Sequence, residues 1–264
     1  MTAATRRPLS PRQQQLLALL REQGFVAVSE MATRFGVSEM TVRRDMRRLE
    51  EVSNVQRLYG GAVVPGRTEA ADEEPAFGQR QAEQAEAKRA IAHEAARLVH
   101  PGATIGIDVG TTTYELARRL LEARDLNIFT NSLRIGMLLA ESKLSVYMPG
   151  GRVRRGEGTL TGSIAVSLLE EYRLDQVFLG ISGITADGLY DYSIEDSEVK
   201  RAYIRQTSQV IVLADAAKLG RTSAVRICGL EDVDVLITSA EPRPAIAAAL
   251  RTAGVSVIVA AAAA

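Results

Sequence analysis

Apolar residues recur at helical spacing near the start of the chain. The stretches "RQQQLLALLREQG", "SEMATRF" and "SEMTVRRDMRRLEE" each predict a helix, because residues at i, i+3, i+4 and i+7 share one helical face. In the third stretch this face holds Val42, Met46 and Leu49, and Ser38 is suited to cap the helix after a turn at Gly36. Two helices joined by a short turn indicate a helix-turn-helix.

The helix after this turn carries four arginines, Arg43, Arg44, Arg47 and Arg48. A charge run on a helix is most often a solvated face. At about 100° per residue, however, Arg44 and Arg47 point away from the apolar face, and Met40 and Arg43 flank them. In a helix-turn-helix this arrangement favours DNA contact, since the guanidinium fork suits both phosphates and the guanine edge.

A hairpin is predicted directly after the basic helix. In "NVQRLYGGAVV", Arg57 and Tyr59 fall on alternate positions and two glycines permit a bend, which is typical of the wing of a winged helix. Arg57 is then available for a phosphate contact. The DNA-binding candidates are Ser38, Met40, Thr41, Arg43, Arg44, Arg47, Arg57 and Tyr59.

The larger part of the chain alternates apolar β-rich stretches with helical ones. Strands are predicted at "ATIGIDVG", "LNIFTNS", "LSVYMPGG", "QVFLGISG", "QVIVLADA", "VDVLITSA" and "VSVIVA". The intervening helices are 113–122, 133–141, 163–172, 195–208 and 244–253. This alternation predicts an α/β domain with a mainly parallel sheet.

Residues 65–87 separate the two parts. They hold two prolines and acidic runs, which favours a linker or a solvated helical arm. The predicted organisation is a DNA-binding domain over residues 1–64, this linker, and an α/β effector-binding domain over residues 88–260.

Charge is divided between these parts. Residues 1–64 hold ten arginines, no lysine and six acidic residues, a net charge of +4, and the remainder carries −4. A basic N-terminal part joined to an acidic remainder is typical of a DNA-binding protein.

Composition argues against a membrane-spanning, secreted or metal-binding protein. No stretch approaches the ~18–20 apolar residues of a membrane span, and "MTAATRRPLS" lacks the apolar segment of a secretory signal. The single cysteine, Cys228, excludes an internal disulfide, and two histidines, His93 and His100, give no metal-ligand cluster. We expect a cytoplasmic protein without metal or cofactor.

The first predicted strand of the α/β domain leads into a polar loop. It is followed by Gly110, Thr111, Thr112 and Thr113 and then by a helix. Backbone N–H groups and hydroxyls at a helix start can bind a phosphate, although an ordinary capped turn explains the loop taken alone. Lys218 supplies a cation from another strand end, where α/β sheets bind ligands. Together these features favour a phosphorylated small molecule.

Two charged residues have alternative interpretations. Asp108 either accepts hydrogen bonds from sugar or polyol hydroxyls or caps the following helix. Within "DGLYDYSIEDSEVKRA", Lys200 either pairs with Asp196 on the surface or reaches toward the ligand site.

These motifs resemble the DeoR family of bacterial repressors. The segment "VSEMTVRRDMRRLE" followed by "YGGA" resembles the family's DNA-binding signature, and "IDVGTTT", "TNS", "PGG", "FLGISGI" and "LADAAKLG" resemble its sensor motifs. Two longer segments, "EYRLDQVFLGISGITADGLYDYSIEDSEV" and "LGRTSAVRICGLEDVDVLIT", look most like the glycerol-3-phosphate repressor branch. Met40, Tyr59 and Val109 depart from residues common in the family.

The resemblance implies a winged helix-turn-helix joined to a sensor domain that resembles ribose-5-phosphate isomerase. It implies operator DNA as a partner, a sugar-phosphate or polyol-phosphate effector, and a homodimer or homotetramer that regulates a carbohydrate or polyol utilisation operon. Together with Thr113 from the hydroxyl run, the effector candidates are Asp108, Gly110, Thr111, Thr112, Asn131, Gly151 and Lys218.

The likeness to ribose-5-phosphate isomerase also raises an enzymatic alternative. That family carries an acidic cluster and a lysine in the glycine-rich run after the corresponding strand, and "VFLGISGITADG" lacks the paired acids and that lysine. Without a plausible acid/base pair, proton transfer has no evident agents. We therefore predict a repressor that a phosphorylated metabolite releases from DNA, and not an enzyme.

Overall fold

The computed structural model of the protein describes residues 9–23, 25–52, 56–58, 61–63 and 74–261. The chain divides into two compact units, Met1–Asp72 and Glu73–Ala264. We call them the N-terminal unit and the C-terminal unit and describe each by itself.

The N-terminal unit is a winged helix-turn-helix. Its elements are α1 Pro11–Gln23, β1 Phe25–Ala27, α2 Val28–Phe35, α3 Glu39–Val52, β2 Gln56–Leu58 and β3 Gly61–Val63. Strands β2 and β3 form the predicted antiparallel hairpin, with Arg57 opposite Ala62. Strand β1, which the sequence pattern did not predict, pairs with β3 and completes a three-stranded sheet.

The three helices of the N-terminal unit share one apolar core. It is built from leucines of α1, from Met31 of α2 and from Val42, Met46 and Leu49 of α3. The apolar face predicted for α3 is therefore the buried face. Packing of this face against α1 and α2 stabilises the helix.

The C-terminal unit is an α/β domain with additional antiparallel strands. Its helices are α4 Phe77–Ala82, α5 Ala85–Arg97, α6 Thr111–Arg119, α7 Leu133–Leu139, α8 Ser163–Glu170, α9 Ile194–Gln206 and α10 Pro244–Thr252. Its strands are β4 Thr104–Ile107, β5 Asn127–Phe129, β6 Ser145–Tyr147, β7 Arg152–Arg154, β8 Thr159–Thr161, β9 Gln176–Gly180, β10 Gly183–Thr185, β11 Gly188–Asp191, β12 Val210–Ala214, β13 Val225–Cys228, β14 Val235–Thr238 and β15 Ser256–Val259.

Seven parallel strands form the main sheet, in the order β15-β14-β12-β9-β4-β5-β6. All seven are the strands that the apolar stretches predicted. The chain runs outward from β4 to β5 and β6, and then returns to β9 and continues in the opposite direction. The adjacent strands β4 and β9 are thus the point where strand order reverses, and in open α/β sheets ligands bind in the crevice at that point.

Helices cover both faces of this sheet. In β12, Val210, Val212 and Ala214 pack in the core that contains α8, α9 and α10, whereas Ile211 and Leu213 pack in the core that contains α5, α6 and α7. Because the central strands β9, β12 and β14 are buried on two sides, their sequences are mainly apolar and do not alternate.

Several elements differ from the sequence-based expectation. Strands β7 and β8 form an antiparallel hairpin, and β10, β11 and β13 form a separate antiparallel sheet, none of which was predicted. Residues 74–87, expected in a linker or solvated arm, form α4 and the beginning of α5. Phe77 is buried and meets the Tyr114 ring edge-on, with centroids 5.7 Å apart, so this part packs on the C-terminal unit. Residues 65–73 lie outside the described residues.

Candidate functional site

Ser38 caps the basic helix α3, as predicted. Its Oγ accepts a hydrogen bond from the Thr41 N–H at 3.3 Å and lies 3.0 Å from the Thr41 hydroxyl. Because a cap satisfies one of the free N–H groups at a helix start, this contact fixes where α3 begins.

The inner face of α3 contains one charged residue that the sequence reasoning missed. Asp45 is buried, and its carboxylate accepts hydrogen bonds from Arg12 at 2.7 Å and from Gln13 at 3.0 Å, both on α1. The negative charge is therefore neutralised inside the unit, and the contact ties α1 to α3.

The outer face of α3 is basic. Arg43, Arg44 and Arg47 are exposed, as is Met40. Arg43 pairs with Glu39 at 3.1 Å, whereas no described residue forms an ion pair or hydrogen bond with the side chains of Arg44 and Arg47. These two arginines lie opposite the buried face, as predicted, and are available to an anionic partner. For the other candidates, Arg57 lies in β2 and Tyr59 falls outside the described residues.

The C-terminal unit contains a cavity at the reversal point of the sheet. Loops that follow three neighbouring strands line it, with Gly110 after β4, Ser182 after β9 and Asp215 after β12. The empty space is about 530 Å³ and includes space open to solvent.

One end of the cavity is cationic. Lys88, on α5, donates through Nζ to the Glu83 carbonyl at 2.7 Å and to the Arg80 carbonyl. Lys218 forms no side-chain hydrogen bond or ion pair with the described residues. Burial lowers the pKa of both lysines, and the nearby Asp215 carboxylate opposes this effect. Neither ammonium has a carboxylate within ion-pair distance among the described residues.

The start of α6 lies on the same cavity. Gly110 is its N-cap and provides no side chain to satisfy the first N–H groups. Thr111 and Thr112 line the cavity, and their N–H groups form no hydrogen bond with the described residues. Thr113, in contrast, donates its hydroxyl to the Gly110 carbonyl at 3.0 Å, so its role is to close the turn.

An ion-pair network also lines the cavity. Arg80 of α4 pairs with Glu74 at 3.2 Å and with Glu157. Arg154 pairs with Glu74 at 2.8 Å and also with Asp196. Glu74, Glu157 and Asp196 line the cavity, and their carboxylate charge is largely balanced by the two arginines.

Lys200 reaches into the site and does not pair with Asp196 on the surface. Its Nζ pairs with Asp108 and, at 3.1 Å, with Asp191. Asp108 also accepts a hydrogen bond from the Gly180 N–H at 3.2 Å and does not cap α6. Burial raises the pKa of Asp108 to about 7 against the opposing effect of Lys200. Burial lowers the pKa of Lys200, but the three neighbouring carboxylates outweigh it and raise the value overall.

The structure brings half of the predicted effector residues to the cavity. Gly110, Thr111, Thr112 and Lys218 line it. The others do not line it, namely Asp108, Thr113, Asn131 and Gly151.

Asn131 and Gly151 are separated from the cavity for a topological reason. Each follows a strand on the far side of β4, and the β7–β8 hairpin covers the end of β5. The Asn131 carbonyl accepts a hydrogen bond from Leu160 of β8 at 2.8 Å, and Gly151 packs closely on the Thr161 carbonyl. We expected every strand end to contribute, whereas only the strands near the reversal point do.

Other cavity residues were missed because of where they lie in the sequence. Arg80 precedes the predicted domain and Lys88 is at its very start, while Glu157 lies in a hairpin that the pattern did not predict. The dense acidic segment 187–202 did signal Lys200.

Comparison with known proteins identifies the family. The DeoR-like helix-turn-helix domain model matches residues 12–68, and the DeoR C terminal sensor domain model matches residues 83–240. The chain belongs to the DeoR family. This confirms the resemblance inferred from the motifs and assigns the two units of this DeoR-family protein to DNA binding and to sensing.

Two curated relatives match over most of their length. The glycerol-3-phosphate regulon repressor of Haemophilus influenzae is 36% identical over 235 residues, which cover 88% of this chain and 90% of that protein. The HTH-type transcriptional repressor CsqR of Escherichia coli is 34% identical over 251 residues, covering 94% and 95%. This DeoR-family protein is thus a DNA-binding transcriptional regulator, as the sequence predicted.

Among solved structures, ribose 5-phosphate isomerase A of Methanocaldococcus jannaschii is similar over 52% of this chain and 55% of that chain, with a TM-score of 0.39 and 20% identity.

Within the part of the chain that the structure describes, no helix combines the length and apolar character needed to cross a membrane.

Proposed function

We propose that this regulator represses a carbohydrate or polyol utilisation operon and leaves its operator when a phosphorylated sugar or polyol occupies the cavity. The observation that carries the proposal is the cationic end, where Lys88 and Lys218 face the cavity without a carboxylate partner among the described residues. Lys88 is buried and Lys218 is half-buried, and cations withdrawn from water are costly unless an anion balances them.

A phosphate group satisfies this end better than other anions of similar size. Its oxygens accept several charge-assisted hydrogen bonds at once, and the free N–H groups of Thr111 and Thr112 lie at a helix start, where the helix dipole favours negative charge. The names of the relatives agree with such an effector, since one of them is a glycerol-3-phosphate regulon repressor.

DNA recognition is proposed to lie on the outer face of α3. Arg44 and Arg47 are exposed and have no partner among the described residues, and together with the wing they would span bases and phosphates. For the effector to release DNA, it must bind more tightly to the arrangement that cannot engage the operator, since equal affinities shift nothing.

An isomerase-like activity is the alternative, and the ion pairs argue against it. Of the five acidic residues that line the cavity, four are held by arginine or lysine, namely Glu74, Glu157, Asp191 and Asp196. The fifth, Asp215, accepts the Ala217 N–H at 3.0 Å. An ion-paired carboxylate is a weak proton acceptor, and the relatives are named as transcriptional repressors, so we infer that the protein senses its ligand without converting it.

The effector proposal is tested by binding measurements on matched lysine variants. Calorimetric titration with phosphorylated sugars and their unphosphorylated parents should show binding of the phosphorylated forms only. Lys218→Met should weaken that binding by about tenfold or more, the value of one charge-assisted hydrogen bond. Lys143→Met, which removes an exposed lysine, serves as the control and should bind as the wild type does.

Two further readouts complete the test. In gel shifts with the promoter of its own operon, each compound that binds should lower the affinity for DNA, and a coupled isomerase assay should show no turnover. Wild-type protein that ignores every phosphorylated compound, or Lys218→Met with unchanged affinity, would contradict the proposal.

A further inference from the structure

Glu157 occupies an unusual position in the β7–β8 hairpin. Gly156 and Gly158 flank it with φ of +83° and +71°, a conformation that other residues rarely adopt, so the turn directs the intervening side chain inward. Glu157 is only 4% exposed and lines the cavity. One carboxylate oxygen pairs with Arg80, but Oε1 is buried and has no hydrogen-bond partner among the described residues.

A second unpartnered group faces the same cavity. The Tyr192 hydroxyl is buried and forms no hydrogen bond with the described residues. Burial raises the pKa of Glu157 and of Tyr192, and Arg80 opposes the rise in both cases. Both groups therefore lie within the electrostatic reach of Arg80.

A buried polar group without a hydrogen-bond partner costs free energy. The chemistry of Glu157 and Tyr192 therefore indicates which ligand groups the cavity binds. A buried carboxylate oxygen requires a hydrogen-bond donor. A second anionic group on the ligand is excluded, because Glu74, Asp191 and Asp196 surround the same space. An added ammonium is also disfavoured, since Arg80 and Arg154 already balance these carboxylates. The remaining candidates for a donor to Glu157 Oε1 are neutral hydroxyl groups of a ligand.

We propose that Glu157 recognises a hydroxyl group of the effector through Oε1 and thereby selects polyol and sugar phosphates over phosphates without hydroxyls. The hydroxyl of Tyr192, which lines the same cavity, provides a donor or acceptor for a second hydroxyl. This inference rests on the proposed function: the lysine end holds the phosphate, and Glu157 reads the rest of the molecule.

The test compares ligands that differ only in their hydroxyl groups. Glycerol 3-phosphate and propyl phosphate form one pair, and glucitol 6-phosphate and hexyl phosphate form a longer pair that reaches farther into the cavity. Calorimetric titration of the full chain should show that wild-type protein prefers the hydroxylated member of at least one pair by about tenfold or more, as expected for a hydrogen bond to a charged group.

Glu157→Gln should remove this preference. The amide has the same shape, but it lacks the charge that strengthens the hydrogen bond, so the affinity ratio should fall toward one while inorganic phosphate binds at least as well as before. Glu157→Asp keeps the charge on a shorter side chain and should retain part of the preference. Glu141→Gln, at an exposed carboxylate, is the matched control and should leave the ratio unchanged.

The outcomes separate this inference from the function on which it rests. If inorganic phosphate and all four organic phosphates fail to bind wild-type protein, the proposed effector class is wrong and the inference fails with it. If the phosphates bind but no pair is discriminated, or if Glu157→Gln discriminates as the wild type does, the role of Glu157 is wrong while the phosphate end stands.

Discussion

Lys200 and Asp108 form an ion pair from which solvent is excluded, with side chains 1% and 0% exposed. Transferring two charges from water to the interior is expensive, and their attraction offsets that cost only while both partners are present. The pair thus contributes little net stability when intact, but each residue depends strongly on the other.

Replacing one partner should therefore destabilise the C-terminal unit. Lys200→Met is expected to cost about 3–5 kcal/mol, because it leaves a buried carboxylate uncompensated. Denaturant unfolding followed by tyrosine fluorescence is suitable, since all tyrosines except Tyr59 lie in this unit. Lys143→Met should change the midpoint very little, and the double variant Lys200→Met/Asp108→Asn should be more stable than Lys200→Met alone. A single variant as stable as the wild type would show that the pair is not structurally required.

Among individual residues, the sequence predicted the cavity positions of those that belong to one continuous motif. Gly110, Thr111 and Thr112 follow one strand directly, so their meeting with the cavity depends on a single loop. Lys88 and Glu157 could not be located in the same way. Their positions depend on how α5 and a hairpin pack on the sheet, and such tertiary contacts leave no local periodicity in the sequence.

Among the elements, α3 carries the sharpest expectation. Arg44→Ala and Arg47→Ala should each weaken operator binding by about 1–3 kcal/mol if the side chain contacts a base. Neither change removes a contact within the described part of the N-terminal unit, so folding should be preserved. Gel-shift titration measures the effect, and Arg251→Ala on α10, an exposed arginine of the C-terminal unit, is the control. A double variant with wild-type affinity would exclude this docking face.

The elements also show what a sequence pattern can predict. All seven strands of the parallel sheet were recognised from their apolar stretches, and the central strands β9 and β12 are buried throughout. Of the unpredicted strands, β1, β7, β8 and β10 contain only three residues each, and β11 and β13 contain four. A run that short has no detectable alternation, and its pairing is determined by the partner strand rather than by its own composition.

For the whole molecule, we expect assembly into a dimer or tetramer. A single winged helix-turn-helix reads few base pairs, and phosphate contacts alone bind weakly at physiological salt, so specific recognition needs two such units on a repeated half-site. Light scattering at micromolar concentration should give at least twice the 28.5 kDa of one chain. A monomer that still binds a single half-site with full affinity would contradict this expectation.

The β7–β8 hairpin is attached to the rest of the C-terminal unit in part through main-chain hydrogen bonds, from Leu160 to the Asn131 carbonyl and from Leu133 to the Gly158 carbonyl, beside the side-chain contacts of Arg154 and Thr159 with Asp196. Main-chain hydrogen bonds of this kind do not depend on which side chain a residue carries. The tip of the hairpin can therefore change its chemistry by single substitutions while the sheet, the lysine end and the DNA-binding unit stay as they are. This gives a short route by which duplicated genes could acquire new inducers, and it marks Glu157, between the two glycines that shape the turn, as the position to randomise when such a regulator is converted into a biosensor.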